Sequence, residues 1–181
     1  KDVEYGSPPI EFKDQEREIP YEITLYDTTD SDQKISVVMH HVVLEQKEGD
    51  LLVRELMIVE NQGNKVYVGA HEIAPGKRET LRISLPQGAQ EPQLMKGLMS
   101  SYVVQVEDGM VDTIDIKPGR KEILFGYRID KKALGSKFSK SINLVTGSLS
   151  FFIPGELRVK GENIQYAGLV GETGRQFAHF S

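Results

Sequence analysis

Cysteine and tryptophan are both absent from this chain of 181 residues. Without cysteine, the chain can form no disulfide scaffold, no thiolate metal site and no cysteine nucleophile. No apolar run approaches the roughly 18 residues that a membrane-spanning helix needs. Positive charge is also scarce, because 22 Lys and Arg residues stand against 27 Asp and Glu, for a formal net charge of -5. Since the sequence has no basic stripe, we expect no nucleic-acid partner.

The sequence begins with Lys1 rather than methionine, which predicts a processed or excised piece of a longer protein. We therefore expect any signal segment, neighbouring domain or membrane anchor to lie outside residues 1–181. Residues 1–20 combine prolines with a run of mixed charge, and they predict a linker or an edge strand. Residues 21–181 are numerous enough to form a single β-sandwich domain with its own core.

The dominant pattern in the chain is a period-two alternation of apolar and polar residues, which is typical of strands with one solvent-exposed face. Leu81, Ile83 and Leu85, for example, alternate with polar residues. Val, Ile, Tyr and Phe, which strands prefer, are concentrated in the same segments. The alternation predicts strands at 21–26, 35–44, 51–60, 66–68, 80–85, 102–106, 121–129, 149–153, 157–159 and 164–169.

Turn residues separate these segments. Glu48-Gly49-Asp50 connects two long strands, and Asp108-Gly109 predicts a hairpin because both residues tolerate positive φ. Pro118-Gly119 fits a type II turn, with proline at the first central position and glycine at the second. We therefore predict an all-β fold, specifically an antiparallel immunoglobulin-like β-sandwich of about nine to eleven strands.

Two stretches depart from this pattern. Residues 87–101 are mostly polar, and Met95 and Met99 within them are one helical turn apart, which predicts a single helical turn capping one end of the sandwich. Residues 168–174 are rich in glycine and are predicted to form the loop between the last two strands. Phe177 and Phe180 are expected to pack after this loop.

His40 and His41 raise the possibility of a metal site, because imidazole is a common ligand. Adjacent residues of a strand point to opposite faces, however, so this pair cannot chelate one ion from a regular strand. We expect one of the two to pack inward with a hydrogen bond and the other to face solvent. His71 and His179 have no carboxylate or nucleophile at an informative spacing.

The densest acidic segment, residues 27–32, lies between two predicted strands. Hard oxygen ligands in a loop suit Ca²⁺, so Asp27, Asp30 and Asp32 are a candidate calcium site. Asp, Ser and Thr also form ordinary turns by bonding to nearby backbone N–H groups. Because the EF-hand pattern is absent, we favour turn chemistry and keep calcium binding as the alternative.

Four acidic residues cluster along the predicted hairpin: Glu107, Asp108, Asp112 and Asp115. Paired carboxylates can hydrolyse glycosides when they are held at a defined separation across a cleft, but a hairpin does not supply that geometry. We expect these residues to form solvated faces and turns. The sequence also has no GxSxG motif and no glycine-rich phosphate loop, so we predict no enzyme and no cofactor. Catalysis would require a cleft that gathers His40 or His41 with a carboxylate such as Asp112.

The absence of tryptophan weakens a sugar-binding function, because flat aromatic rings complement sugar faces. Seven tyrosines keep that alternative open. The tyrosines not obviously assigned to the core are Tyr5, Tyr67, Tyr102 and Tyr166. A carbohydrate-binding module with a structural Ca²⁺ is therefore the alternative function.

An ordered series of short motifs runs from Val3 to Tyr127. The motifs are Val3-Glu4-Tyr5-Gly6, Leu25-Tyr26-Asp27-Thr28-Thr29-Asp30, His40-His41-Val42-Val43-Leu44-Glu45, Leu52-Val53-Arg54-Glu55, Val59-Glu60-Asn61-Gln62-Gly63, Thr80-Leu81-Arg82, Leu85-Pro86-Gln87-Gly88-Ala89 and Pro118-Gly119. This order resembles uncharacterised bacterial extracytoplasmic β-sandwich proteins, in which such a segment follows a carboxypeptidase-regulatory-like domain and precedes a membrane anchor. The resemblance implies an exported location and a non-enzymatic role. It supplies no catalytic or binding residue.

These observations predict a structural or protein-interaction module at the bacterial surface or in the periplasm. The expected partner is a protein, with carbohydrate as the alternative. An exposed edge strand could pair with another chain, although sequence does not identify which strands are edges.

Overall fold

The structure, a computed structural model, describes residues 3–6, 9–13, 17–130, 132, 138–155, 161, 164–172 and 175–181. The regular elements that can be delimited within these residues are all strands. The strands are β1 (Thr28–Thr29), β2 (Ile35–Lys47), β3 (Asp50–Asn61), β4 (Val66–Tyr67), β5 (Glu72–Ala74), β6 (Lys77–Arg78), β7 (Leu81–Ser84), β8 (Ala89–Lys96), β9 (Val103–Val106), β10 (Gly109–Asp112), β11 (Gly119–Asp130), β12 (Leu149–Pro154), β13 (Tyr166–Glu172) and β14 (Arg175–Phe180).

Two main sheets contain most of these strands. The larger sheet has seven strands in the order β13-β14-β12-β2-β3-β11-β8, and the smaller has three in the order β7-β10-β9. The pairs β1-β4 and β5-β6 form two further small sheets. Most neighbours are antiparallel, but β12 runs parallel to β2 and β1 runs parallel to β4. The prediction of an all-β, mostly antiparallel fold is confirmed.

The hydrophobic core lies between the two main sheets. The large sheet contributes the inward positions of its three longest strands, where apolar residues alternate with residues that are more exposed. The buried residues of this core include Val37, Val42, Val53, Val59, Leu81, Ile83, Met110, Ile123, Phe125 and Ile129. This alternation is the one seen in the sequence, and it explains why these strands were predicted at nearly their observed bounds.

The hairpin between β2 and β3 depends on a two-residue turn. Glu48 and Gly49 have φ values of 53° and 92°, and they connect the paired residues Lys47 and Asp50. Positive φ at both central positions is the mark of a type I′ turn, whose twist matches that of the flanking strands. The sequence-based prediction of a turn at this position is confirmed.

The prediction for residues 87–101 is wrong in its main part. Instead of a loop with a helical turn through Met95 and Met99, residues Ala89–Lys96 form the edge strand β8. Pro92 and the surrounding polar residues hid this strand, because proline interrupts a strand pattern and is tolerated only at edges or bulges. The pairing of β8 with β11 does contain two register shifts.

The strand predicted at 21–26 is also wrong, because no described sheet includes these residues. The backbone N–H of Tyr26 donates instead to the hydroxyl of Tyr5, at 2.9 Å. Period-two alternation alone does not make a strand, since a strand needs a neighbour for its backbone groups.

Three other differences concern strand number and the end of the chain. The described residues contain fourteen strands rather than about nine to eleven, because several two- or three-residue pairings left no sequence pattern. The last part of the chain forms β13 over Tyr166–Glu172, so most of the glycine-rich segment predicted as a loop is strand. The strand predicted at 157–159 lies outside the described residues.

Candidate functional site

His40 and His41 lie on opposite faces of β2, as the sequence predicts. His40 is 2% exposed, and its Nε2 is 2.6 Å from Oε2 of Glu55. His41 lies on the outer face, where its ring packs edge-on against Phe152 with centroids 5.0 Å apart. The expectation of one inward, hydrogen-bonded histidine is confirmed. His41, however, is partly covered by Phe152 rather than fully open to solvent.

Glu55 is fully buried at the centre of a polar cluster with His40, Tyr127 and Lys140. Its Oε1 accepts a hydrogen bond from the Tyr127 hydroxyl at 2.7 Å and lies 3.0 Å from Nζ of Lys140. Because an ionised carboxylate can only accept, Nε2 of His40 carries the proton in its contact with Oε2. Three strands, β2, β3 and β11, and the segment after β11 each supply one member of this cluster.

The neighbours of Glu55 decide its charge. Burial alone would raise the pKa of the Glu55 carboxyl, but the hydrogen bond from His40, the charge of Lys140 and the Tyr127 hydroxyl outweigh burial and hold that pKa below its usual value. Burial and the adjacent carboxylate raise the pKa of Tyr127, so its hydroxyl remains a donor. Glu55 is therefore an ionised carboxylate inside the core, neutralised by Lys140.

Lys140 connects the cluster to the smaller sheet. Its Nζ donates to the backbone oxygen of Ser84 in β7 at 2.6 Å, and its side chain is 4% exposed. Asn143 adds a contact to the same strand, since its Oδ1 accepts from the Ser84 backbone N–H at 3.2 Å. A cavity of about 20 Å³ lies beside His40 and Lys140. A space of that size holds about one water, not an organic substrate. We therefore interpret the cluster as a polar clamp between the sheets.

Two of the acidic residues of the β9–β10 hairpin, Asp108 and Asp112, are bound by cationic side chains. Asp112 is 1% exposed, and its Oδ2 is 2.6 Å from Nζ of Lys121, which belongs to the other sheet. Asp108 accepts a hydrogen bond from Arg82 at 2.9 Å. The expectation of a solvated Asp112 is wrong, because its carboxylate bridges the two sheets inside the molecule. Asp112 is engaged by Lys121 whereas His40 is engaged by Glu55, so each has a partner of its own.

The candidate calcium residues lie around β1. The backbone oxygen of Asp27 accepts from Val66, and that of Asp32 accepts from Ile35, both at 2.8 Å. Across the part of the chain that the structure describes, no group of three or more His, Asp or Glu side chains is placed to hold a metal ion. Calcium binding by Asp27, Asp30 and Asp32 stays a prediction, which titration with Ca²⁺ would test.

The four tyrosines singled out from the sequence have different surroundings. Tyr67 is buried in the core, and the Tyr102 hydroxyl donates to Glu4 at 3.0 Å. Tyr5 contacts Lys117, whose Nζ lies 4.4 Å from the ring centroid. Tyr166, by contrast, is 59% exposed. Sugar binding stays a prediction, and the exposed Tyr166 belongs to a different feature, the edge of the large sheet.

Strand β13 is an open edge of the seven-stranded sheet, with β14 as its one neighbour among the described strands. From Tyr166 to Gly171 it has no charged residue and no proline. Tyr166, Leu169 and Val170 are exposed, although all three are large and apolar. An edge strand presents a row of backbone N–H and C=O groups, and these apolar side chains flank that row.

The opposite edge of the same sheet, β8, is protected in the ways that natural proteins use. It contains Pro92, and Glu91 adopts a positive φ of 52°. Lys96 pairs with Glu122 at 2.6 Å, and the pairing with β11 is interrupted by register shifts. Proline and charge discourage a further strand at β8. A register shift does not distinguish the two edges, because the pairing of β13 with β14 also contains one, between Tyr166 and Gly168. The two edges of one sheet therefore differ in their capacity to accept another chain.

No protein-family model matches this chain, and no curated protein is similar enough to count as a match. Among the described residues, no helix is long and apolar enough to cross a membrane. Its function must therefore be inferred from its own residues and their arrangement.

One residue of the clamp could have been predicted from the sequence, although it is not among the candidate residues named there. Glu55 occupies an inward position in the series Leu51, Val53, Glu55, Met57 and Val59, where an isolated charge indicates a buried partner. Lys140 gave no such signal, because it lies in an irregular segment far along the chain. The open edge at β13 could not be predicted from the sequence either, because strand order is a property of the folded sheet.

Proposed function

We propose that this chain is a non-enzymatic protein-interaction module, of immunoglobulin-like type, that accepts an extended segment of a partner protein along β13. The observation that carries the proposal is the exposure of Tyr166, Leu169 and Val170 on an edge strand that has no charged residue and no proline from Tyr166 to Gly171. Addition of a strand to such an edge gains backbone hydrogen bonds, while the flanking side chains contribute apolar contact and specificity.

The contrast with β8 supports this proposal. An unprotected apolar edge is a liability for aggregation, and natural proteins normally cover or charge it. At β8 this chain places Pro92 and the charged Glu91, whereas β13 has neither proline nor charge from Tyr166 to Gly171. A partner that covers β13 accounts for the difference.

An extracytoplasmic location, at the bacterial surface or in the periplasm, is part of the same proposal. Its support is the resemblance of the motifs between Val3 and Tyr127 to exported β-sandwich proteins. Cell fractionation of the native protein tests it. Recovery from the membrane-associated or periplasmic fraction is expected, and recovery from the cytosol alone would overturn this part of the proposal.

Site-specific photo-crosslinking in cells that naturally produce the protein tests the role of β13. The probe p-benzoylphenylalanine replaces Val170 in one variant and Gln93, an exposed residue of β8, in the control. We expect a covalent protein adduct at position 170, its loss when Leu169→Lys is added, and no adduct at position 93. The absence of an adduct at position 170, or equal adducts at both edges, would contradict the proposal.

A further inference from the structure

We infer that the strand accepted by β13 is the segment 21–26 of a second copy of this chain. This inference rests on the proposed function of β13 and names the partner. It starts from two features of the same molecule in the described structure: an extended apolar segment that belongs to no sheet, and an apolar edge strand that has a neighbour on one side only.

The segment 21–26 has the sequence pattern of a strand but belongs to no described sheet. Tyr21, Ile23 and Leu25 alternate with Glu22 and Thr24. The three apolar side chains are 45%, 55% and 71% exposed, respectively. A half-buried strand normally presents one such apolar row to a neighbouring surface. The segment therefore has the pattern of a strand but no neighbouring strand in the described chain.

The segment and the edge strand are similar in length, and both expose apolar side chains. Strand β13 has seven residues, and it exposes the apolar side chains of Tyr166, Leu169 and Val170. Leu169 pairs with Ala178, which in turn pairs with the buried Ile153, so Leu169 lies on the core-facing side of the sheet. An added strand with its apolar row on that side would extend the core-facing surface beyond the present edge.

The segment does not lie along β13 of its own chain. Asp27, directly after it, bonds to Val66 at 2.8 Å, and Tyr26 bonds to Tyr5 at 2.9 Å. Tyr5 in turn lies against Lys117, two residues before β11, which is five strands away from β13 in the order of the sheet. With these contacts in place, the segment and β13 of one chain are unpaired with each other, so the donor is another copy.

Each copy then carries one donor segment and one acceptor edge. The contact joins two different surfaces, a segment of one copy and an edge of another. Two copies can therefore exchange segments and form a closed dimer, or successive copies can form an open chain. In both assemblies, each contact needs one intact segment and one intact edge.

Disulfide trapping tests this pairing cleanly, because the chain has no cysteine of its own. A chain with Ile23→Cys is mixed with a chain with Leu169→Cys under mild oxidation, and the control replaces Leu169→Cys with Gln93→Cys on β8. We expect the mixed disulfide to exceed the control at least about tenfold. Equal yields in the two mixtures would overturn the inference.

Sedimentation velocity on purified chains provides the second test. The wild-type chain should associate as its concentration rises, whereas Ile23→Lys and Leu169→Lys should each remain monomeric with an unchanged circular dichroism spectrum. Mixing the two lysine variants should restore a dimer, because one keeps an intact edge and the other an intact segment. A monomeric wild-type chain at all concentrations would overturn the inference. If the Val170 probe nevertheless captures a different protein in cells, the proposed function stands without this partner.

Discussion

Glu55 places a full negative charge at the centre of a core that is otherwise mostly apolar. Transfer of a carboxylate out of water costs several kcal/mol unless it is paired and hydrogen-bonded. His40, Tyr127 and Lys140 supply those contacts from three different parts of the chain. At the scale of residues, the clamp therefore connects elements that are distant in sequence. Its loss should lower the free energy of unfolding of the whole molecule.

Replacement of Glu55 by glutamine tests this clamp. The variant Glu55→Gln keeps the shape of the side chain but leaves the charge of Lys140 buried without its counter-ion. We expect a loss of about 3 kcal/mol in the free energy of unfolding, measured by urea denaturation. The exposed pair of Lys96 and Glu122 is the control, and Lys96→Met should cost less than about 1 kcal/mol. Equal losses in the two variants would contradict a buried clamp.

The same carboxylate should make stability depend on pH. Burial raises the pKa of Glu55, but its hydrogen-bonding and charged neighbours lower that pKa by more than burial raises it. The pKa of Glu55 in the folded chain therefore lies below the usual value of 4.5. A carboxyl with a depressed folded pKa contributes stability that is present above its unfolded pKa and decreases as the pH falls towards the folded pKa. Below about pH 4.5, wild-type stability should therefore fall more steeply than that of Glu55→Gln. Parallel curves for the wild-type chain and Glu55→Gln would count against the assignment.

At the scale of elements, hairpins depend on glycines for different reasons. Gly49 has a φ of 92° and open space around an added Cβ, whereas at Gly109 a Cβ would lie 2.2 Å from the backbone oxygen of Ile83. Gly49→Ala should therefore cost about 1 kcal/mol through backbone strain alone. Gly109→Ala should cost about 3 kcal/mol, because β7 must also move. Urea denaturation of both variants measures the difference, and similar losses would show that the close approach to Ile83 is unimportant.

The elements that could be predicted from the sequence are those in which one face packs against the core and the other is more exposed. Strands β2, β3, β7 and β11 alternate because one face meets the core, and their bounds were predicted to within a few residues. Strand β8 was missed because an edge strand tolerates Pro92 and polar residues. The segment 21–26 was predicted as a strand because its pattern is correct, although it has no neighbour in the described chain.

The candidate site was less accessible from the sequence than the fold. The sequence predicts that one of His40 and His41 points inward but not which one, and it does not predict the partner Glu55, because pairing across strands depends on register. Asp112 was expected in solvent, whereas Lys121 holds it inside the molecule. Side chains that meet across sheets depend on the sheet order, and local sequence does not encode that order.

At the scale of the whole molecule, the two edge strands of the large sheet differ in composition. The seven-stranded sheet ends in the protected β8 on one side and the apolar β13 on the other. Strands β12, β14 and β13 extend the sheet from β2 to its apolar edge. In the proposed assembly, β13 gains a strand from the segment 21–26 of another copy.

Hydrogen exchange of the purified chain, followed by mass spectrometry at rising protein concentration, tests that claim most directly. It reports on backbone pairing itself rather than on proximity. We predict that exchange slows in both the Tyr166–Glu172 strand and the segment 21–26 as concentration rises, while exchange in Ala89–Lys96 is unchanged. Exchange in β13 and in the segment 21–26 that does not depend on concentration would contradict the claim.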